Sequence, residues 1–211
     1  MKITDLIPNI HELIPYEYST IKSPLYEDII NHFLSQADNT STPVLIHPLG
    51  APGSGKTTFY TSNSWSSHVL VAFDNIMEAI PQYQSDCQNL GNVKAFEKWQ
   101  IPARIIGYEL LRRAIEQKKN IFFDHGGSNQ GHIQLIKSIK KYRYTSEMHF
   151  IDCPLEICLQ RCTQREKQIH RHTPKDMVIS RHNQTKLLID QYKKICDKFV
   201  HHKFTNQYTD N

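Results

Sequence analysis

The amino-acid sequence predicts an α/β fold in which helices cover both faces of a mostly parallel β-sheet, giving three layers. Short apolar runs alternate along the chain with longer segments of helical periodicity, the pattern of strands joined by crossover helices. The chain has 211 residues, of which 39% are apolar and 22% charged. That is enough for one α/β domain with a real core, and it is short for two. We therefore expect a single domain over 1–211, with its core at about 43–200 and a helical extension at 1–40.

Four apolar runs are the candidate strands of this sheet. They read PVLIH (43–47), HVLVAF (68–73), NIFFD (120–124) and EMHFID (147–152). Each is compact and rich in the residues favoured in buried strands. The first run ends directly at a glycine-rich turn. The second and third end at or next to an aspartate, which makes their ends candidate functional positions.

Three segments have the periodicity of core-facing helices. The first starts with Ser23 as a cap and Pro24 at its first helical position. The second occupies 101–119, with apolar side chains on one stripe. The third follows Pro174 and continues to Phe199, with apolar residues spaced four, three and four apart. We assign these stripes to the core and give them no other function.

Two further segments lack a clear pattern. Residues 82–100 have weak periodicity and three aromatic side chains, and they form either an excursion over the mouth of the site or a plain surface loop. Residues 201–211 are polar, and we expect a solvated tail there.

The turn after the first strand, PLGAPGSGKTTF at 48–59, fits the pattern of a phosphate-binding loop. Its second and third glycines let the backbone turn tightly and aim N–H groups at phosphate oxygens. The helix that follows adds its positive end. Lys56, a catalytic candidate, can reach the β- and γ-phosphates, and Thr57 offers a hydroxyl to Mg²⁺. The candidate nucleotide-binding residues are Gly50, Ala51, Pro52, Gly53, Ser54, Gly55, Lys56, Thr57 and Thr58. The sequence therefore predicts a nucleoside triphosphate site in a fold of the P-loop NTPase type.

Three uses of such a nucleotide are open: a GTPase switch, an ATP-driven motor or a kinase. A GTPase switch would require an NKxD-like sequence that selects guanine, and the sequence has none. A motor usually needs a longer chain with extra domains. A small kinase needs a base for the acceptor hydroxyl, a carboxylate that orients the metal, and cations for the developing charge.

Acids and arginines of the sequence supply candidates for these kinase parts. Asp74 ends the second strand and Asp124 the third, so both carboxylates should emerge at the sheet edge beside the phosphate loop. An aspartate at a strand end is also a common turn former. Arg161, Arg165 and Arg171 follow the fourth strand, where small kinases carry a lid, although such a charge run is usually a solvated face. We favour Asp124 as a ligand of Mg²⁺ and the arginines as stabilisers of the transition state.

This constellation resembles the zeta toxin family of small P-loop kinases over residues 43–182. The loop APGSGKT is close to the family's QPGSGKT, and DNIMEAIPQY resembles the family's stretch from an aspartate to a His-Pro pair. RHTPKD is similar to the lid sequence R-A-T-P-K. The resemblance implies that Asp74 deprotonates the acceptor hydroxyl and that Arg165 and Arg171 are the lid arginines. It places Asp124 where the family carries a glutamate in an E-G-T-G-R run.

The sequence departs from the family pattern at two positions. Ser128 stands where the family has an arginine that helps to grip UDP-N-acetylglucosamine, and Ile80 stands where it often has a histidine. The residues that the resemblance implies for phosphoryl transfer therefore match the family better than the residues that bind the sugar nucleotide. The best-supported small-molecule acceptor by resemblance is a UDP-amino sugar. The alternatives are a kinase for nucleic-acid ends or another small alcohol, and a nucleotide-binding effector module without turnover.

The cofactors and partners follow from this interpretation. We expect Mg²⁺, with ATP or GTP as the phosphoryl donor, and the resemblance adds a neutralising antitoxin-like protein as a candidate partner. A net charge of +4 suits anionic small molecules and is too small to argue for nucleic acid. No run approaches the ~20 apolar residues of a membrane span. Residues 1–15 carry acids and two prolines where a signal peptide is apolar. We therefore expect a cytoplasmic protein that does not associate with a membrane.

The five cysteines have no framework spacing, which indicates reduced thiols. Cys153, Cys158 and Cys162 lie close enough in sequence to make a zinc site conceivable. No CxxC pair or second ligand pair accompanies them, so we favour free thiols.

Overall fold

The computed structural model describes residues 1–14, 24–63, 65, 67–169 and 172–204. Its centre is a sheet of five strands, each parallel to its neighbours. The strands are β1 (Val44–Leu49), β2 (Val69–Ala72), β3 (Ile121–Asp124), β4 (Thr145–Asp152) and β5 (Lys198–Lys203). Their order across the sheet is β2–β3–β1–β4–β5. Because β1 lies between β3 and β4, the crevice at its carboxyl end is the expected ligand site of such a sheet.

Eight α-helices accompany these strands in the described ranges. They are α1 (Pro24–Leu34), α2 (Lys56–Thr61), α3 (Phe73–Glu78), α4 (Pro81–Leu90), α5 (Asn92–Glu116), α6 (Gln130–Ile139), α7 (Leu155–Ile169) and α8 (Lys175–Ile195). Short 3₁₀ turns occupy Ile3–Asp5, Ile10–Glu12 and Lys140–Tyr142. None of the helices described is long and apolar enough to cross a bilayer.

Helices cover both faces of the sheet, as predicted for three layers. Successive side chains of a strand point to opposite faces. The ring of Phe122 in β3 meets Phe59 and Tyr60 of α2, at centroid distances of 6.3 and 4.7 Å. The next ring, Phe123, meets Phe73 of α3 at 6.3 Å. The strand β3 is therefore covered by α2 on one face and by α3 on the other.

The prediction for the C-terminal segment is wrong in the part that the structure describes. The last helix ends at Ile195, so Phe199 is not helical, and residues 201–203 belong to β5 rather than to a solvated tail. Each residue of β5 pairs with one of β4. An edge strand has one paired side and tolerates polar residues and lysines, so its composition resembles that of a tail. Residues 205–211 lie outside the described part.

The prediction of a plain surface loop at 82–100 is wrong, because the segment is helical, whereas Phe96 and Gln100 of the same segment line the pocket described below. Pro81 occupies the first turn of α4, and Gly91, with a φ of 80°, separates α4 from the long helix α5. The indole Nε1 of Trp99 donates to Asp86 at 2.6 Å and ties the two helices together. Tyr83 is the one buried residue of α4, which explains the weak apolar periodicity of this segment.

The N-terminal segment packs onto the rest of the chain. Leu6 and Ile7 have no exposed surface and belong to the same hydrophobic cluster as the strands. Arg113 of α5 holds Glu27 of α1 through two bonds of 2.6 and 2.7 Å. The predicted cap of α1, Ser23, lies outside the described residues.

Candidate active site

A pocket of about 900 Å³ opens at the carboxyl ends of the strands. Its walls come from the loop after β1, from α3, α5, α7 and α8, and from the ends of β3, β4 and β5. All the predicted nucleotide-binding residues line it except Ala51, which is buried beneath the loop. The volume is within the range of a site for a small molecule or cofactor.

The phosphate-binding loop connects β1 to α2. Gly53 and Gly55 have φ values of 82° and 105°, which favour glycine, and α2 begins directly after them at Lys56. The Nζ atom of Lys56 donates to the carbonyls of Gly50 and Ala51, both at 3.0 Å. The lysine therefore folds back over its own loop, with its ammonium group at the pocket.

The charges next to the loop influence one another. Asp124 is the last residue of β3 and faces the pocket. Burial raises the pKa of its carboxyl group, while Lys56 and Arg165 oppose that rise. Burial likewise lowers the pKa of Lys56, and Asp124 opposes that change. A carboxylate and two cations thus influence one another beside the phosphate-binding loop.

The donors at this point fit Mg²⁺. Thr57 offers a hydroxyl and Asp124 a carboxylate, and both line the pocket. No group of three or more His, Cys, Asp or Glu side chains that could hold a metal exists among the described residues. One or two protein ligands, supplemented by phosphate oxygens and water, is how Mg²⁺ is commonly bound.

Asp74 reaches the pocket from a different element than predicted. β2 ends at Ala72, and Asp74 lies in the first turn of α3. Ala72 pairs with Asp124, the last residue of β3, so both strands end at the same level of the sheet. After β2 the chain enters α3 directly. Asp74 and Asp124 both line the pocket.

Helix α7 packs directly on the phosphate loop and brings arginines over it. A Cβ atom at Gly53 would lie 2.3 Å from the carbonyl oxygen of Cys158, so the two backbones touch. Arg165, about two turns further on, lines the pocket, and its Nη2 donates to Thr173 at 2.8 Å. Its buried Nε has no partner in the described chain. Arg171 lies outside the described residues and stays a prediction from sequence.

Arg161, one of the arginines singled out from the sequence, lines the pocket and passes over the ring of Phe204 at 5.6 Å. Other residues of the pocket were not singled out. Arg104 and Arg181 reach the pocket from α5 and α8, and His125 follows Asp124. No local signal marks Arg104 and Arg181, because an arginine on an amphipathic helix normally lies on the solvated face.

Within the part of the chain that the structure describes, Cys153, Cys158 and Cys162 belong to no group of three or more His, Cys, Asp or Glu side chains arranged to hold a metal. They pack with Ala51 and Val178 in a small buried cluster next to the loop. All five cysteines of the chain are free.

A cluster of three histidines lies at the floor of the pocket, where His125 is part of the lining and His47 and His132 are buried behind it. His47 is bonded through Nδ1 to the carbonyl of Phe123 at 2.7 Å, and His132 through Nε2 to the hydroxyl of Tyr108 at 2.9 Å. The rings of His125 and His132 are 4.1 Å apart. Burial lowers the pKa of His47 to about 4 and the pKa values of the other two well below normal. All three rings are therefore neutral at pH 7.

We expect this cluster to make the protein sensitive to acid. Below pH 6.5 these histidines become protonated in the unfolded chain but not in the folded chain. The free energy of unfolding therefore decreases as the pH is lowered. Each histidine contributes up to about 1.4 kcal/mol per pH unit. Urea unfolding between pH 7.5 and 5 measures the slope. The slope should be shallower in His125→Asn and unchanged in the exposed control His11→Asn, and equal slopes in all three proteins would contradict this account.

The contact between the loop and α7 gives a second prediction. Gly53→Ala introduces a Cβ that clashes with backbone, at a positive φ, so we expect weaker nucleotide binding and a loss of stability above the ~1–3 kcal/mol of φ strain alone. Gly91→Ala is the matched control, because Gly91 has a φ of 80° and nothing within 4 Å of an added Cβ. Thermal unfolding and calorimetry with an ATP analogue measure both effects. Equal losses in the two variants would mean that the loop and α7 are not in close contact.

Comparisons with known proteins agree with this fold. The family model described as "Zeta toxin" matches residues 30–208. The structure of the PezAT chromosomal toxin–antitoxin system of Streptococcus pneumoniae superposes with a TM-score of 0.67 at 16% identity, covering 88% of this chain and 79% of that one. The AvrRxo1-ORF1:AvrRxo1-ORF2 complex with sulphate ions gives 0.70 at 16% identity, covering 94% and 69%. The same pair with ATP gives 0.60 at 16% identity, covering 86% and 63%. No curated protein matches the sequence.

Proposed function

Because this chain belongs to the zeta toxin family of P-loop kinases, we propose that it transfers the γ-phosphoryl group of ATP, or of GTP, to a hydroxyl of a small molecule. One observation carries the proposal. The pocket that contains the phosphate-binding loop also gathers Asp74, Asp124 and Arg165, from three separate elements. These are the base, the metal-orienting carboxylate and the cation that a small kinase requires.

The loop and its lysine hold the donor in this proposal. Lys56 now bonds to the carbonyls of its own loop, and a bound triphosphate would redirect its ammonium group to the β- and γ-phosphates. Thr57 and Asp124 would hold Mg²⁺, which neutralises the charge of the phosphates. Arg161 and Phe204 line the same pocket. Their guanidinium plane and aromatic ring offer flat surfaces on which the nucleobase of the donor could stack.

Asp74 and Arg165 act on the transfer itself. Asp74 accepts the proton of the acceptor hydroxyl as its oxygen attacks the γ-phosphorus. Arg165 stabilises the charge that spreads over the transferring group and the leaving oxygen. Arg165 is close enough to Asp124 to influence its pKa, which supports a position at the γ-phosphate.

The identity of the acceptor and partners is part of the proposal. A UDP-amino sugar is the family-based candidate, although Ser128 replaces the arginine that resemblance assigns to its binding. One of the structures that share the fold comes from a toxin–antitoxin system. On that basis we also propose a neutralising protein partner and a cytoplasmic location.

The decisive test is incubation of the protein with γ-labelled ATP, Mg²⁺ and a metabolite extract, followed by identification of the labelled product. We expect a phosphorylated alcohol that is absent when Arg165→Ala replaces the wild type. Nucleotide binding without any labelled product would instead favour an effector module that does not turn over.

Replacement of the loop lysine tests the donor site separately. We expect Lys56→Met to weaken binding of an ATP analogue by about 10- to 100-fold, because a charged hydrogen bond contributes ~1.5–3 kcal/mol. Calorimetry with Mg²⁺ measures the affinity, and the exposed Lys141→Met is the control for loss of one charge. Unchanged affinity in Lys56→Met would refute the loop assignment.

A further inference from the structure

Three of the five cysteines lie together at the start of α7, and the proposed mechanism uses none of them. Cys153 comes directly after β4, and Cys158 and Cys162 are about one helical turn apart on α7. All three belong to the small buried cluster that also contains Ala51 of the phosphate-binding loop. The cluster therefore places thiols against the loop that would hold the nucleotide.

Cys153 and Cys158 occupy positions whose side chains meet. Helix α7 begins at Leu155, so Cys153 is the second residue before the helix and Cys158 is its fourth residue. Side chains at these two positions of a helix start commonly pack against each other. The Sγ of Cys158 donates to the carbonyl oxygen of Cys153 at 3.9 Å, and the same thiol hydrogen-bonds the sulfur of Cys153. The two sulfur atoms are thus placed for direct reaction with each other.

The two sulfurs differ in access and in charge. Cys153 lines the pocket and is 3% exposed, whereas Cys158 has no exposed surface. The Nη1 of Arg161 donates to the Sγ of Cys153 at 3.9 Å. The hydrogen bond from Cys158, with the positive charge of Arg161 added, lowers the pKa of the Cys153 thiol, and Asp152 opposes this change. The same hydrogen bond, with burial added, raises the pKa of Cys158. Cys153 is therefore the better nucleophile and the one that a reagent in the pocket meets.

A packing role alone does not account for this arrangement. A free cysteine in a core often acts as a small apolar side chain, and that role is sufficient for Cys162. It requires neither a guanidinium on the sulfur nor a second thiol in contact with it. An accessible thiol of lowered pKa beside a second, resolving thiol is the arrangement of a redox-sensing cysteine.

A bond between these sulfurs would act on the phosphate-binding loop. Joining two thiols brings their sulfurs closer than a hydrogen bond does, and this draws the first turn of α7 towards the end of β4. The backbone of Cys158 touches Gly53 without a gap, so a shift of that turn reaches the loop. Oxidation also removes the thiol that Arg161 holds, and Arg161 lies 3.8 Å from the position of a Cβ at Gly55. Both glycines are in the part of the loop that faces the pocket.

We propose that Cys153 is a site of oxidation by hydrogen peroxide and that Cys158 resolves it, giving a reversible disulfide that weakens nucleotide binding at the adjacent loop. The inference goes beyond the proposed function, and it needs only that the loop binds a nucleotide. In a reducing compartment such a disulfide is transient, as expected of a sensor.

The reaction has two steps. The sulfur of Cys153 attacks one oxygen of hydrogen peroxide, the O–O bond breaks, and a sulfenic acid and a water molecule form. The sulfur of Cys158 then attacks the sulfur of the sulfenic acid, the S–O bond breaks, and the hydroxide leaves with the proton of Cys158 as a second water. Two thiols are thus oxidised to one disulfide while one peroxide is reduced to two waters.

Mass spectrometry tests the site of oxidation. The reduced protein is treated with equimolar hydrogen peroxide, alkylated in denaturant and digested with trypsin without reductant. Peptide 144–161 contains both Cys153 and Cys158, whereas Cys162 begins the next peptide, 162–165. We expect peptide 144–161 without alkylation and lighter by two hydrogens, while Cys87 and Cys196 stay alkylated although both are more exposed. Oxidation of either of these two first, or a cross-link to peptide 162–165, would overturn the assignment of the pair.

Serine variants separate the two steps. In Cys158→Ser the reaction should stop at the sulfenic acid of Cys153, which dimedone labels. In Cys153→Ser neither the label at this site nor the disulfide should form, and the control Cys196→Ser should behave as the wild type. Dimedone labelling of Cys158 in Cys153→Ser as fast as that of Cys153 in Cys158→Ser would contradict the assigned order. If Cys153→Ser does not fold, Cys153→Ala keeps a small apolar side chain and replaces it.

Calorimetry with an ATP analogue and Mg²⁺ tests the effect on the loop. We expect the oxidised wild type to bind at least ~10-fold more weakly than the reduced protein, about the value of one charge-assisted hydrogen bond from the loop. Dithiothreitol should restore the affinity, and peroxide should not change the affinity of Cys153→Ser. Saturating analogue should in turn slow the oxidation of Cys153, because it fills the pocket that the thiol lines.

Unchanged affinity in the fully oxidised wild type, or equal oxidation rates with and without the analogue, would refute the inference. The affinity of the reduced wild type is measured first, so a failure of the donor site is recognised separately. A protein that forms the disulfide and loses affinity but yields no labelled product keeps this inference and loses only the kinase proposal.

Discussion

Replacing Arg165 by alanine should slow phosphoryl transfer by about 10³- to 10⁵-fold, the value of a cation that stabilises the transferring group. Arg165 lines the pocket, donates a hydrogen bond to Thr173 and influences the pKa values of both Lys56 and Asp124. Its guanidinium acts mainly as negative charge shifts to the leaving oxygen, so nucleotide affinity should change far less than the rate.

Single-turnover transfer at saturating ATP measures this effect without interference from product release. Lys167→Ala is the matched control, since Lys167 is an exposed cation on the same helix α7. A rate within tenfold of the wild type for Arg165→Ala would show that the arginine belongs to a solvated charge run. Parallel losses in both variants would point to damage to α7 rather than to catalysis.

Asp74→Asn is expected to reduce transfer by about 10²- to 10⁴-fold, the usual contribution of a positioned general base. Asparagine keeps the shape of the side chain and its ability to accept a hydrogen bond at the start of a helix, but it cannot take a proton at neutral pH. The affinity for the ATP analogue should therefore remain close to that of the wild type.

The control for this variant is Asp176→Asn, because Asp176 also lies in the first turn of a helix, at an exposed position of α8. Initial rates are measured with the acceptor identified from the extract. If Asp74→Asn and Asp176→Asn both turn over at nearly the wild-type rate, Asp74 is only a first-turn acid and another group is the base.

The sequence predicted best those features that depend on local chemistry. The phosphate-binding loop is defined by glycines and a lysine at fixed spacing, and four of the five strands are compact apolar runs. Asp74 was placed in the pocket for a sound reason, although it lies in α3 rather than at a strand end. The level at which a strand stops depends on its partner, which is not a local property.

The missed features depend on contacts between distant segments. β5 is polar and becomes a strand only through pairing with β4, and α4 with the start of α5 is held by contacts such as that of Trp99 with Asp86. Arg104 and Arg181 are 77 positions apart in sequence. Single-sequence periodicity assigns such side chains to a solvated face, because it contains no information about what lies across a cavity.

The order of the strands determines when a newly made chain can become active. Every pair in the sheet joins segments that are separated by a helix or more, so no two strands adjacent in the sheet form a local hairpin. Such topologies fold slowly, because long loops must close before their contacts form. His202, Lys203 and Phe204 line the pocket and are supplied by β5 and the residue after it. A ribosome-bound chain that has exposed the phosphate-binding loop but not yet residues 198–204 is therefore still without one wall of its pocket.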